Sequence, residues 1–341
     1  MTDIVVPSAG GSTTIPFDSL FTSTMANYNV EQLAKNYLES RPLLKALMDN
    51  FERRDSSGGI YMQGSAAYGT NTAVRFFTGA DPFSQEVSQT ALPLVYRWRY
   101  IGCPVSFTRT ELAENRSTAK IFDLMESRVK QAMYTMRMIL NQEAFSDGTN
   151  YSGNTIVGIA AGVSSTPSSD PASGPVGGLS ASTNSWWRNN AVTSFGSFAA
   201  NGPNGTAGDT WTHTWNLATD GDETPTHIIT DQLTWEYYRL SLMKIARYID
   251  PSAKSPQGDL GWNSLEYQGK SVQWDRMCPS GTAYFLNTRY QHFYVDPSML
   301  FEWSPVLQMP YQLAASKIVA CRLAMTYWSR MYSATISGIT A

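Results

Sequence analysis

The chain has 341 residues, with 25 basic and 28 acidic side chains and a formal net charge of −3, so electrostatics singles out no partner and no basic face marks a nucleic-acid reader. Only 16% of residues are charged, against about 25% in globular proteins at large, while 12% are aromatic, with 10 Trp and 18 Tyr. A surface poor in charge and rich in the residues that favour interfaces points to an assembly subunit. The length permits a large core, in two subdomains or in one domain with long excursions. Cys103, Cys278 and Cys321 are odd in number and lack CxxC or CxxxH spacing. That excludes a disulfide framework and a zinc site and leaves three packed thiols. The opening MTDIVVPSAGGSTTIPF has neither the basic nor the apolar region of a signal peptide, so the chain is expected to be made in the cytosol. No apolar run approaches the roughly 18 residues that cross a bilayer.

Residues 1–27 are rich in Ser, Thr, Gly and Pro, with only Asp3 and Asp18 charged, and read as an extended arm. From Asn29 the spacing of Val30, Leu33, Ala34, Tyr37 and Leu38 predicts a helix, interrupted at Pro42 and followed by a short turn. Residues 56–102 hold six glycines and many β-formers and predict a long two-stranded excursion. Within it LVYRWRY (94–100) reads as one strand, with Arg97 and Arg99 on one face and Tyr96, Trp98 and Tyr100 on the other. A lone hairpin is marginal in water, so this one is expected to lie on another surface, that of a neighbouring subunit.

Residues 115–147 carry the strongest helical period of the chain, with Ser117 or Thr118 placed to cap its start and Gly148 to end it. Its Met125, Met133, Met136 and Met138 read as core packing rather than a ligand groove. Between Gly148 and Gly208 only Asp170 and Arg188 are charged, yet the stretch contains GGLSASTNSWWRN, and paired tryptophans are foreign to a disordered tether. Part of it must be docked. A strand at His227–Thr230 then runs into an amphipathic helix at Gln232–Ile249, with Trp235, Tyr238, Leu242, Ile245 and Ala246 facing inward. The rest alternates short strands (KSVQW, TAYFLN, HFYVD) with turns and closes on a pair around IVACRLAMTYW and MYSATISG. The class is α+β.

Reactive chemistry finds no foothold. His213, His227 and His292 are scattered, and GxSxG, HExxH and P-loop patterns are absent. The acidic turn Asp220, Asp222, Glu223 lacks the spacing of a calcium loop, and Asp231 with Glu236 is a weak glycosidase pair. Seventeen arginines against eight lysines favour multi-donor contacts between subunits. Arg53–Arg54, Arg75, Arg97, Trp98 and Arg99 are the candidates for such contacts. Trp186 and Trp187, with Arg188 and Asn189, are candidates to anchor the low-charge segment.

The order of arm, helix, Gly-rich excursion, long helix, GGLSASTNSWWRN, THIITDQLTWEYYRLSL, GKSVQWDRMCPSGTAYFLN and closing strands resembles the major capsid proteins of tailed bacteriophages, with the Hong Kong 97-type fold, over nearly the whole chain. Gly178–Leu179 shortly before Trp186–Asn189 is similar to a feature that recurs among them. The resemblance implies an N-terminal arm at 1–27, an extended loop at 56–102, and a peripheral domain at 28–55 and 103–154 that holds the long spine helix. It also implies an axial domain mainly at 155–313 and closing strands at 314–341 that return to the peripheral domain. It further implies no enzyme activity and no cofactor. The implied product is an icosahedral virion shell, assembled in the host cytoplasm from hexamers and pentamers of this chain around double-stranded DNA. A separate scaffolding protein, a portal and a decoration protein are the implied partners, without a membrane. Two departures stand out. Residues 46–119 contain no lysine, so loop cross-linking through a lysine is lost, and about 28 residues before the first helix are too few for a fused scaffold. Two competing readings are an encapsulin-like compartment shell and a β-rich carbohydrate-active enzyme with a cleft.

Overall fold

A computed structural model describes residues 3–8, 11–16, 41–48, 51–53, 59–69, 74–79, 90–108, 110–111, 118–203, 210–249, 265–308 and 314–340. Two six-stranded sheets organise the described residues. The first is built on β16 (Ala314–Tyr327). One side of β16 pairs antiparallel with β6 (Arg99–Thr108), from Ala314↔Thr108 to Leu323↔Arg99. Its other side takes β15 (Leu307–Gln308), β14 (Glu302–Trp303) and β13 (Gln291–Val295) in succession, and β13 continues into a parallel pairing with β3 (Phe51–Arg53). Burial alternates along β16 up to Leu323 and is then continuous to Tyr327. The strand thus begins with one covered face and ends with both covered.

Helix α2 (Thr118–Ala144) lies on this sheet, and its 27 residues span about 40 Å. Met125, Val129, Ala132, Met133 and Met136 meet Val105, Phe107 and Val319, so three of the four methionines of the stripe are core, while Met138 is half-buried outside this cluster. Arg128 lays its guanidinium 5.1 Å from the Phe107 ring centre and bonds the Ser106 carbonyl and Glu111. Beyond the helix the chain turns through Gly148, at φ +86°, and comes back over the last carbonyls. There Glu143, buried, accepts from Thr155 Oγ1 (2.7 Å) and Asn150 Nδ2 (3.0 Å).

The second sheet runs in the order β10 (Leu265–Tyr267), β11 (Lys270–Trp274), β9 (His227–Thr230), β12 (Ala283–Leu286), β17 (Ala334–Ile336), β7 (Asn190–Val192). Strands β9 and β11 are parallel, and α4 (Gln232–Ile249) lies between them in sequence as a crossover element. Asp231 starts α4 by accepting the Thr234 N–H (3.3 Å). Thr210 does the same for α3 (Trp211–Leu217) through the His213 N–H. The core here is aromatic: Trp211 stacks on Tyr238 at 4.8 Å and meets Tyr267, Phe285 and Phe198 edge-on.

The strand and helix expected at 227–230 and 232–249 form at those bounds, with Tyr238 inward, while the side chains of Ile245 and Ala246 lie outside the described residues. So do residues 21–40 and Ser117, where a first helix and a cap were expected. Pro42 opens α1 (Pro42–Met48), at the first helical position, where its missing N–H costs nothing. Residues 3–8 and 11–16 form an antiparallel hairpin, β1 with β2.

One expectation is overturned. The closing strands are not a pair: β16 belongs to the first sheet and β17 to the second, because the chain turns at Ser329–Tyr332 and crosses between sheets. The low-charge segment is docked, with Ile156, Ile159, Ala161, Val163, Val176 and Trp187 in the main core. Its Gly162 packs so closely that a Cβ there would land on the Tyr327 ring. Gly162→Ala is expected to lower stability by about 1 to 3 kcal/mol. Denaturant unfolding checks this, and an unchanged midpoint would remove the close approach from the account.

Candidate functional site

Among the described residues no cluster of metal-ligating groups stands out, and the excursion is the feature that needs explaining. Strands β4 (Tyr61–Ala67) and β5 (Ala91–Arg97) pair antiparallel from Tyr61↔Arg97 to Ala67↔Ala91. The Tyr68 and Gly69 N–H groups extend the ladder to the Thr90 carbonyl. Period-two burial divides the hairpin. Met62, Ala66, Leu94 and Tyr96 are buried, while Tyr61, Val95 and Arg97 face solvent beside Ile60. Further out, Val74, Arg75, Phe76 and Phe77 are all exposed. So many large apolar side chains exposed on one excursion make it the candidate interaction surface.

The inner face does not wait for a neighbour, contrary to expectation: it packs on its own chain. The Tyr96 hydroxyl donates to the Tyr327 carbonyl (2.6 Å) and accepts the Tyr327 N–H (3.1 Å). Burial, outweighing that hydrogen bond, pushes the Tyr96 phenol well above its ordinary pKa. Gly177, at φ +64°, approaches so closely that a Cβ would lie 2.8 Å from both Leu94 Cδ2 and Tyr96 Oη. Tyr68 stacks on Trp186 with ring centres 4.6 Å apart. At the base, the Arg322 guanidinium lies 4.9 Å from the Trp98 ring centre, pairs with Asp296 (2.8 Å) and donates to the Gly59 carbonyl.

LVYRWRY is therefore two strands. The ladder breaks at Trp98, where the chain leaves the hairpin for the first sheet, and the phase of burial flips. Tyr100 ends 61% exposed, Arg97 exposed and Arg99 half-buried, so the expected single face for both arginines is lost. Trp98 is 3% exposed, inside its own chain, and has no surface to offer a neighbour, which corrects its place among the intersubunit candidates. Burial first and the charge of Arg97 second draw the Arg99 guanidinium below its ordinary pKa. Arg53 lies on β3, described by its backbone alone, and Arg54 lies outside the described residues.

The Trp-Trp-Arg-Asn box sits where hairpin, low-charge segment and the end of β16 meet. Trp187 is 1% exposed, and its Nε1 donates to the Val176 carbonyl (3.1 Å). Arg188 donates to the Ala181 and Ser182 carbonyls (2.7 and 3.0 Å). Asn189 exchanges two bonds with the Ser164 backbone and accepts from Arg330 Nη2 (3.1 Å). Arg330 is 1% exposed and also caps the Gly162 and Ala161 carbonyls. Sequence reasoning missed the roles of Arg330, which stands in no motif, and of Tyr327 and Gly177, which lie in IVACRLAMTYW and at the start of GGLSASTNSWWRN but whose partners are remote in sequence.

Several groups that the sequence offered as reactive are tied up structurally. Cys278 and Cys321 are buried free thiols, and burial pushes the Cys321 thiol up to about 12. Asp220 and Glu223 pair through their backbones, and Glu223 also holds Asn287 and Arg289. Glu236 takes Gln232, one turn back. Among the described residues no His, Cys, Asp and Glu cluster could hold a metal ion. Trp187→Ala is expected to cost about 3 to 5 kcal/mol, as removal of a buried indole does. Thermal melting checks it, and a variant that melts like the parent would show that the box is not an anchor.

No protein-family model and no curated protein matches the chain. Solved structures do. The capsid asymmetric unit of cyanophage A-1(L) is similar at 14% identity, with 88% of this chain and 93% of that chain covered and a TM-score of 0.63. A structure from Mycobacterium phage Bobi matches at 8% identity, covering 87% and 90%, with a TM-score of 0.53. The holo-SrpI encapsulin complex of Synechococcus elongatus PCC 7942 matches at 10% identity, covering 87% and 86%, with a TM-score of 0.52. Identities this low speak for the fold, and the fold of this chain is α+β of the Hong Kong 97-like type found in phage capsids.

Proposed function

We propose that this chain is the major capsid protein of a tailed bacteriophage and builds an icosahedral shell from hexamers and pentamers of itself around double-stranded DNA. The observation that carries the reading is the half-docked hairpin, whose inner face is satisfied within the chain while Ile60, Tyr61 and Val95 on its outer side and Val74, Phe76 and Phe77 between its strands are exposed. A second copy is the natural cover for such a face in a subunit with so few charges. On this reading the chain acts without catalysis or cofactor, in the virion, and is assembled in the host cytoplasm. A separate scaffolding protein, a portal and a decoration protein are its further partners. Residues 1–27 serve as the arm and 56–102 as the extended loop. Residues 28–55 and 103–154 form the peripheral domain and 155–313 mainly the axial domain. Of the closing residues 314–341, β16 serves the first and β17 the second.

The match to an encapsulin supports a second reading, a compartment shell that encloses protein. Negative-stain microscopy of the purified chain separates shells from a monomer with a cleft, and nuclease-protected DNA in particles from infected cells separates the two shells. A strictly monomeric chain would sink both.

Arg75, Arg97 and Arg99 are the proposed intersubunit contacts of the hairpin, with Arg75 and Arg97 exposed and Arg99 half-buried. Replacing Arg97 and Arg99 together by Ala should cut particle yield at least about tenfold, the effect of losing roughly 1.4 kcal/mol of association free energy. The melting of the unassembled subunit should hardly change. Normal yield would remove these residues from the interface.

With no lysine in residues 46–119, the shell is held without covalent closure from the loop. Particles boiled in detergent with reductant should run as one band at the mass of a single chain. A ladder would mean that another group, such as Lys254 or Lys270, forms a cross-link.

A further inference from the structure

We propose that Trp186 is a positioning residue that fixes the direction in which the hairpin leaves the subunit. The inference rests on the capsid reading for its consequence and on this chain's own geometry for its content.

The two tryptophans of the box do different work. They sit on one 3-10 turn, Ser185–Trp187, which sends consecutive side chains apart, and their rings meet edge-on at 5.7 Å. Trp187 points into the core. Trp186 is half-buried and packs against the main core with Trp187 edge-on to it, while the next residue, Arg188, is fixed by its bonds to the Ala181 and Ser182 carbonyls. The Trp186 ring is a platform, and what stacks on it, 15° from parallel, is Tyr68.

Tyr68 stands just past the end of β4, where its N–H and that of Gly69 make the last described rungs of the ladder to Thr90. Nearer the root the hairpin is attached by Tyr96 on Tyr327, Leu94 on Gly177 and Gly64 against the Trp328 ring, and Tyr96 pairs with Met62 across the hairpin. Six residues of strand separate Met62 from Tyr68, about 20 Å at 3.4 Å each. The contacts near the root fix where the ribbon starts; the stack on Trp186, farthest from them along the described strand, sets the line on which its outer end leaves. Gly177 lies on the same docking face and lets Leu94 and Tyr96 sink onto the low-charge segment, so this segment both receives the hairpin and aims it. A shell subunit offers one surface and receives a different one, and such a heterologous contact closes only if its angle is right.

The test uses full-length unassembled subunits. Spin labels at Val74→Cys, on the exposed tip, and at Asn216→Cys, on the exposed side of α3, report the angle of the hairpin, with Cys103→Ser removing the half-buried thiol. The parent should give one narrow distance. Trp186→Ala should broaden or shift it while the melting temperature stays within a few degrees, Trp186→Phe should restore it, and Tyr68→Ala should reproduce the loss from the hairpin side if Trp186→Ala fails to fold. Assembly of Trp186→Ala should give malformed or open particles, and Trp186→Phe closed ones. An unchanged distance in the Ala variants overturns the proposal, and so do normal shells built from subunits whose distance has broadened. If the parent forms no shells at all, the capsid reading fails, while the distances still decide the role of Trp186.

Discussion

A two-stranded hairpin has two faces and too little core to stand alone, and the arrangement of β4 and β5 follows from that constraint. One face is settled inside the chain, at the end of β16. There Tyr327 gives both its backbone groups to the Tyr96 hydroxyl, fills with its ring the space a Gly162 side chain would need, and reaches the Val157 carbonyl with its own hydroxyl (3.4 Å). The same strand carries Arg322, which clamps the root of the hairpin, and it pairs with β6, the continuation of β5. A shift of β16 by one residue would turn Tyr327 away and expose Leu323, so the register of the first sheet and the seating of the hairpin are a single choice.

The low-charge segment shows how a stretch with little regular structure is kept inside a fold. Its backbone carbonyls need donors that neighbouring strands do not supply. Those donors are side chains: Trp187 to Val176, Arg188 to Ala181 and Ser182, Asn189 to Ser164, Arg330 to Gly162 and Ala161. Burying the Arg330 charge without a carboxylate bonded to it is costly, and its three contacts, to the Gly162 and Ala161 carbonyls and the Asn189 amide oxygen, are what make it tolerable. Small residues let the chain pass close to its neighbours, and the few long polar side chains tie it down.

Periodicity made much of this readable. Helix α2, strand β9 and helix α4 repeat at their own spacings over enough residues to be recognised, and the paired tryptophans correctly spoke against a tether. Local pattern failed where a tertiary event intervened. Through LVYRWRY the alternation of aromatic and basic residues continues unbroken, yet the strand changes sheet at Trp98, and the inward side chains change from Tyr96 and Trp98 to Val105 and Phe107. Between β16 and β17 a turn at Ser329–Tyr332 looks like that of a hairpin, because nothing in it records that the two strands join different sheets. Arg330 in that turn resembles a surface arginine, since its partners lie more than 140 residues away.

The division of the hairpin into a settled face and an open one has a consequence for assembly. If its whole surface were free, an unassembled subunit would carry a long, mobile apolar ribbon, prone to pairing indiscriminately. If its whole surface were docked, nothing would be left to join copies. With the inner face held by Tyr96 and Trp98 and the outer end resting on Trp186, the ordering entropy of the hairpin is already met before a second copy arrives, so association gains from the apolar outer face without that loss. Preorganisation of this kind also makes specificity cheap to lose, because a small rotation at the root displaces the tip by many ångströms. On the capsid reading, the residues that set the angle are therefore as much a part of the proposed contact as the exposed Val74, Arg75, Phe76 and Phe77.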